Sequence, residues 1–130
     1  HMRRGDFKWS IRGDYYLSPS EYAITLKNKV KADYENALVI LFSEDQFLAS
    51  SEWDEVKNAF NFTNITINNG SEIDDLCGLM FCDKILGPTV STFSRWAAYA
   101  GNKPWAGIGR NTLKYSEPLD FIKCPIPWGY

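Results

Sequence analysis

Ala37-Leu38-Val39-Ile40-Leu41-Phe42 is the stretch that decides the fold: six apolar residues in a row, with Asn36 before them and Ser43 after. A strand with one wet face alternates apolar and polar side chains. An unbroken apolar run this short fits a strand covered on both faces, as in a parallel sheet between layers of helices. Upstream, Ser18-Pro19-Ser20-Glu21 reads as a helix start, with Ser18 as N-cap, Pro19 at the first position and Glu21 three residues after the cap. Ala23, Leu26 and Val30 then come at helical spacing.

Downstream the two periods alternate. Trp53, Val56 and Phe60 define a short amphipathic helix capped from Ser51. Residues 64–67 (NITI) form a β-branched strand, and 68–70 (NNG) a turn. Ser71, with Asp74 three positions on, starts another helix whose Ile73, Leu76, Cys77 and Met80 share a face. Residues 84–87 (KILG) make a further strand. Ser91 to Gly101 is a helix with Gly101 as its C-cap and Pro104 beyond. Residues 104–109 (PWAGIG) add a strand, and the Pro-rich 123–130 (KCPIPWGY) is irregular.

Strands alternating with helices of this length predict βαβ units: an α/β fold, a parallel sheet flanked by helices. Such sheets bind ligands beyond the carboxyl ends of their strands. That rule gathers the opening residues, Ser43-Glu44-Asp45 and Thr89 to Thr92 into one region.

The chain of 130 residues suits one domain with a real core, and 45% hydrophobic residues mark it as globular. A net charge of −2 and a pI of about 5.4 speak against a nucleic-acid surface. The basic residues Arg3, Arg4, Lys8 and Arg12 nonetheless crowd the start, an asymmetry that a local anion site in an acidic domain fits. Three cysteines (Cys77, Cys82 and Cys124) without a CxxC pair, and one histidine, His1, give no zinc pattern. Free, mostly buried thiols in a reducing compartment are expected. No apolar run nears the roughly 20 residues that cross a bilayer, and no signal peptide is recognisable. The expected location is the cytoplasm, peripheral to a membrane at most, or the Golgi lumen in a eukaryotic cell. The sequons at Asn61, Asn64 and Asn69 matter only in a secretory lumen. His1-Met2 also matches the remnant of a common cloning site.

Two clusters carry chemistry. A helix that begins Ser91-Thr92-Phe93-Ser94 offers hydroxyls and backbone N–H groups at its positive end, although Ser91 can equally be a plain N-cap. Arg3 and Arg4 beside Gly5 suit a phosphate if a partner orients them, and are solvated otherwise.

The order of these stretches is informative. An H-x-R-R-G-D stretch (residues 1–6) precedes D-x-x-x-L-M-x-C (75–82) and then S-T-F-S-x-W-A-A (91–98). This order resembles the α-1,2-fucosyltransferases and their α-1,6- and protein O-fucosyltransferase relatives, across most of residues 1–101. The resemblance implies one GDP-sugar-binding, Rossmann-like domain over residues 1–130, its tail from about 111 partly irregular. It would be the C-terminal, donor-binding lobe of a GT-B glycosyltransferase and a fragment of a longer enzyme. By resemblance, Arg4 grips the β-phosphate of GDP-fucose, Arg3 supports the loop or a neighbouring oxygen, His1 lies near the nucleotide and Asp6 fixes the loop. Asp75 accepts guanine N–H groups, and Ser91, Thr92 and Ser94 hold the phosphates. The implied chemistry is inverting transfer of fucose to a glycan acceptor, with no cofactor and no metal. The acceptor lobe would come from a missing N-terminal segment or a partner chain.

The chain departs from the family pattern at Arg95, where a tryptophan is usual, and at Pro88 in a strand position. The alternative is a non-catalytic nucleotide-sugar-binding or interaction module. An adhesion reading of the two RGD tripeptides (4–6 and 12–14) is weakened because the first is part of the H-x-R-R-G-D stretch. No G-x-S-x-G or G-x-x-x-x-G-K-[ST] motif supports a hydrolase or kinase.

Overall fold

The computed structural model describes residues 1, 2, 17, 18, 20–22, 38–43, 51, 54, 58, 65–68, 70–89, 91–109 and 119–123. In chain order the elements are β1 (Val39–Phe42), β2 (Ile65–Asn68), α1 (Glu72–Phe81), β3 (Ile85–Pro88), α2 (Thr92–Gly101), β4 (Pro104–Ile108) and β5 (Ile122–Lys123). β1 pairs parallel with β2, Val39 opposite Ile65. β3 pairs parallel with β4, Ile85 opposite Trp105, and β5 closes that edge antiparallel to β4.

Two residues join these half-sheets. The His1 amino group donates to the Leu86 carbonyl at 2.6 Å, while the Met2 N–H donates to the Phe42 carbonyl at 2.9 Å. Successive residues bonding to opposite neighbours is the pattern of a strand set between two others. Ser43 Oγ donates to the Met2 carbonyl at 2.9 Å and Tyr22 Oη to the His1 carbonyl at 3.4 Å. Residues 1–2 therefore stand between the two-stranded sheet β1-β2 and the three-stranded sheet β3-β4-β5, and the chain leaves them to one side and later returns on the other. This is the Rossmann-like arrangement with its topological switch point beside residues 1–2.

One core spans both halves. Phe42 of β1, Ile85 of β3 and Trp105 of β4 pack with Leu79 of α1 and with Ala97 and Ala98 of α2. Adjacent residues of β1 (Leu41, Phe42) and of β4 (Trp105, Ala106) are both buried, so the sheet is covered on both faces, as the apolar run predicts. Removing a buried ring such as that of Phe42 costs about 3–5 kcal/mol.

The helix starts obey their local chemistry. Ser18 and Glu21 form a capping box: the Ser18 N–H donates to Glu21 Oε2 at 2.6 Å and the Glu21 N–H to Ser18 Oγ at 3.2 Å. Ser71 and Asp74 form a second at the head of α1. Ser51, Asp54 and Asn58 are helical and exposed, whereas Trp53, Val56 and Phe60 lie outside the described residues.

Three expectations are corrected. The inward face of α1 is Asp75 and Leu79, flanked by Leu76 and Met80; Ile73 and Cys77 are exposed. The C-cap of α2 is Asn102, in the left-handed region at φ 53°, while Gly101 is the last helical residue. A Cβ at Gly101 would lie 2.7 Å from the Met80 carbonyl oxygen, so the missing side chain serves the close crossing of the two helices. The thiols are not mostly buried: Cys77 is exposed and Cys82 half-buried. Cys124 and the RGD tripeptides lie outside the described residues.

Candidate functional site

Residues 1–2 lie beside the turn that follows β3. Pro88 ends β3, the Ser91 N–H turns back to the Pro88 carbonyl at 3.0 Å, and α2 begins. His1 lies on this turn. Its ring meets that of Phe93 in the first turn of α2, centroids 5.2 Å apart. Met2 is almost wholly buried. Both opening residues are therefore built into the fold. The start of the H-x-R-R-G-D stretch and the head of the S-T-F-S helix are brought side by side. Arg3, Arg4 and Asp6 lie outside the described residues.

Ser91 stands at the N-cap position but makes no capping hydrogen bond, although it is only 4% exposed. Its hydroxyl is left for another partner. Thr92, one residue on, is half-buried. The two helix heads differ in charge: α1 carries Glu72, Asp74 and Asp75 in its first turn, and α2 carries no acidic residue there. Carboxylates compensate the positive end of α1, while that of α2 keeps its attraction for an anion.

Ser94 is placed differently. It is fully buried and its Oγ accepts the Trp105 Nε1–H at 3.1 Å, so it braces α2 on the sheet. Arg95 is also buried, its guanidinium carbon 4.7 Å from the centre of the Trp105 ring. Nothing in the sequence pattern signals either contact, because an Arg and a Ser near a helix start read as surface residues.

Asp75 is buried at 8% exposure on the inward side of α1. It lies close enough to the His1 amino group for its charge to be felt there. Burial holds that amine down at about 5, from an ordinary 8.0, against the opposing pull of Cys82 and Asp75. His1 Nδ1 is buried and accepts no hydrogen bond among the described residues. Burial raises the Cys82 thiol above its ordinary range, and its Sγ–H donates to the Gly78 carbonyl at 3.4 Å. Among the described residues no three metal-ligating side chains cluster, and no helix is long and apolar enough to cross a membrane.

The arrangement is a Rossmann-like α/β fold of the kind glycosyltransferases use. Residues 1–117 match the profile of glycosyl transferase family 11, the α-1,2-fucosyltransferase family, and the chain belongs to it. It is thus a fucosyltransferase-like glycosyltransferase, of a class that joins a nucleotide-sugar donor to a glycan acceptor. No curated protein matches the chain, and no solved structure does.

Proposed function

We propose that this chain binds GDP-fucose at the switch point and supplies the donor half of an inverting, metal-independent transfer of fucose to a glycan. The observation that carries the reading is the seating of residues 1–2 between β1 and β3. It sets the start of the motif that contains Arg3 and Arg4 beside the head of α2. In this reading Arg4 grips the β-phosphate, Arg3 supports a neighbouring oxygen and Asp6 fixes the loop. Ser91, Thr92 and the first amides of α2 complete the clamp. His1 lies beside the nucleotide, and Asp75 accepts guanine N–H groups, which adenine cannot supply in the same pattern. Ser94 contributes through the helix that it braces.

The bond that breaks joins the fucose anomeric carbon to the β-phosphate oxygen. The acceptor oxygen attacks from the opposite face, and its proton passes to solvent or to the released diphosphate. Negative charge gathers on the leaving diphosphate, and arginines with a helix N-terminus stabilise it in place. The acceptor would be held by a further lobe in a GT-B arrangement, from more of the same protein or from a partner. Acceptor positioning contributes much of the rate in such a transfer. A cytoplasmic setting, peripheral to a membrane at most, suits this role.

Calorimetric titration with GDP, using ADP and UDP as controls, tests the reading. Binding selective for GDP is expected; equal affinity for all three, or none, would sink it.

A further inference from the structure

Trp105 is buried at the second position of β4 and is held by two consecutive residues of α2. Its indole Nε1–H donates to Ser94 Oγ, and its ring face carries the Arg95 guanidinium. Both contacts fall in the first turn of α2. Beneath them, Gly87 of β3 has no side chain, and a Cβ there would collide with the Ser94 hydroxyl, so Ser94 rests directly on the strand. The rest of the inner face of α2 is Ala97 and Ala98, small apolar side chains that favour contact without fixing register. The directed hydrogen bond from a rigid ring fixes it, and the indole has no second donor to spend elsewhere.

We infer that Trp105 is a positioning residue for the diphosphate. It holds the first turn of α2, and with it the Ser91 hydroxyl and the amides of Thr92 and Phe93, at a set height over the end of β3. The inference rests on the donor-site reading. Binding an anion at a helix head depends on a few N–H groups aimed at one point, so a small shift of that turn weakens the phosphate contact and spares the base.

The test compares Trp105→Phe and Ser94→Ala with the unaltered chain. Each deletes the same hydrogen bond by a different route, and Phe keeps a ring beneath Arg95. In the free protein, amide hydrogen exchange at Arg95 and Trp96, the first amides bonded within α2, is expected to quicken while α1 is unchanged. Affinity for GDP is expected to fall roughly five- to tenfold, the weight of one buried hydrogen bond. Affinity for guanosine, measured by competition, stays the same. The double variant should lose no more than either single one. Unchanged exchange in folded variants overturns the inference, and so does a loss shared equally by GDP and guanosine. Absence of GDP binding by the unaltered chain overturns the donor-site reading and the positioning role with it. Intact GDP binding by both variants overturns the positioning role alone.

Discussion

His1 and Phe93 meet ring to ring, centroids 5.2 Å apart and planes 37° from parallel, so the opening motif touches the first turn of α2. The contact joins the two motifs through side chains as well as through the sheet. Replacing His1 with Phe keeps the packing and removes both ring nitrogens. Affinity for GDP is expected to fall about tenfold, as for one hydrogen bond to a charged or strongly polar ligand, with little change in melting temperature. Unchanged affinity in calorimetry would take His1 out of the site.

Arg4→Ala is expected to abolish GDP binding while the circular dichroism spectrum stays that of the parent. Arg4→Lys should recover only part of the affinity, because an ammonium cannot grip two phosphate oxygens in a plane. A folded Arg4→Ala chain that binds GDP normally overturns the clamp.

The two serine N-caps should respond differently. Ser71 accepts the Asp74 N–H and its loss removes a working capping box, so Ser71→Ala costs about 1 kcal/mol in denaturant titration. Ser91 caps nothing with its side chain, so Ser91→Ala should leave stability within about 0.5 kcal/mol and lower GDP affinity. A stability loss at Ser91 equal to that at Ser71 would assign it a structural role.

Gly101→Ala is a substitution that usually stabilises a helix by about 1 kcal/mol. Here the new Cβ would press on the Met80 backbone, 2.7 Å from its carbonyl oxygen. Separating the two helices is expected to reverse the sign and cost about 1–3 kcal/mol. Urea unfolding measures it, and a stabilised variant would show that the crossing has slack.

Stability should depend on pH through Asp74, as urea unfolding at a series of acid pH values would show: hydrogen bonds from the Ser71 side chain and backbone hold its carboxyl below the ordinary 3.8. Its contribution is present above 3.8 and fades as pH falls through the lowered value.

Much of the architecture is readable from local chemistry. The run ending in Phe42, the capping boxes at Ser18 and Ser71, and the strand at Ile85 all rest on rules that act within a few residues. The strand bounds differ by one residue at Ile65 and Ile85, and Ile122–Lys123 pairs at an edge inside a tail expected to be partly irregular. What stays hidden depends on distant partners. Two residues show no period, so the seating of His1 and Met2 has no local signal. Asp75 faces inward beside Leu79 on α1, against the usual preference for apolar burial. The anion-ready head of α2 is visible as S-T-F-S, but the sharing of labour within it is not. Ser94 meets Trp105 only after the chain has crossed to the next strand.

The hydrogen bond from His1 to Leu86 spans 85 positions, and that from Ser43 to Met2 spans 41. Folding therefore has to close a loop of most of the chain before residues 1–2 bridge the two sheets. The entropy of closure rises only slowly with loop length, but distant pairings form late and slow the search. Helices and separate ribbons can assemble first, while the seating of residues 1–2 waits for these distant segments to meet. Ligand binding is thus a clock for the last step: after dilution from denaturant, nucleotide affinity should return later than the helical signal.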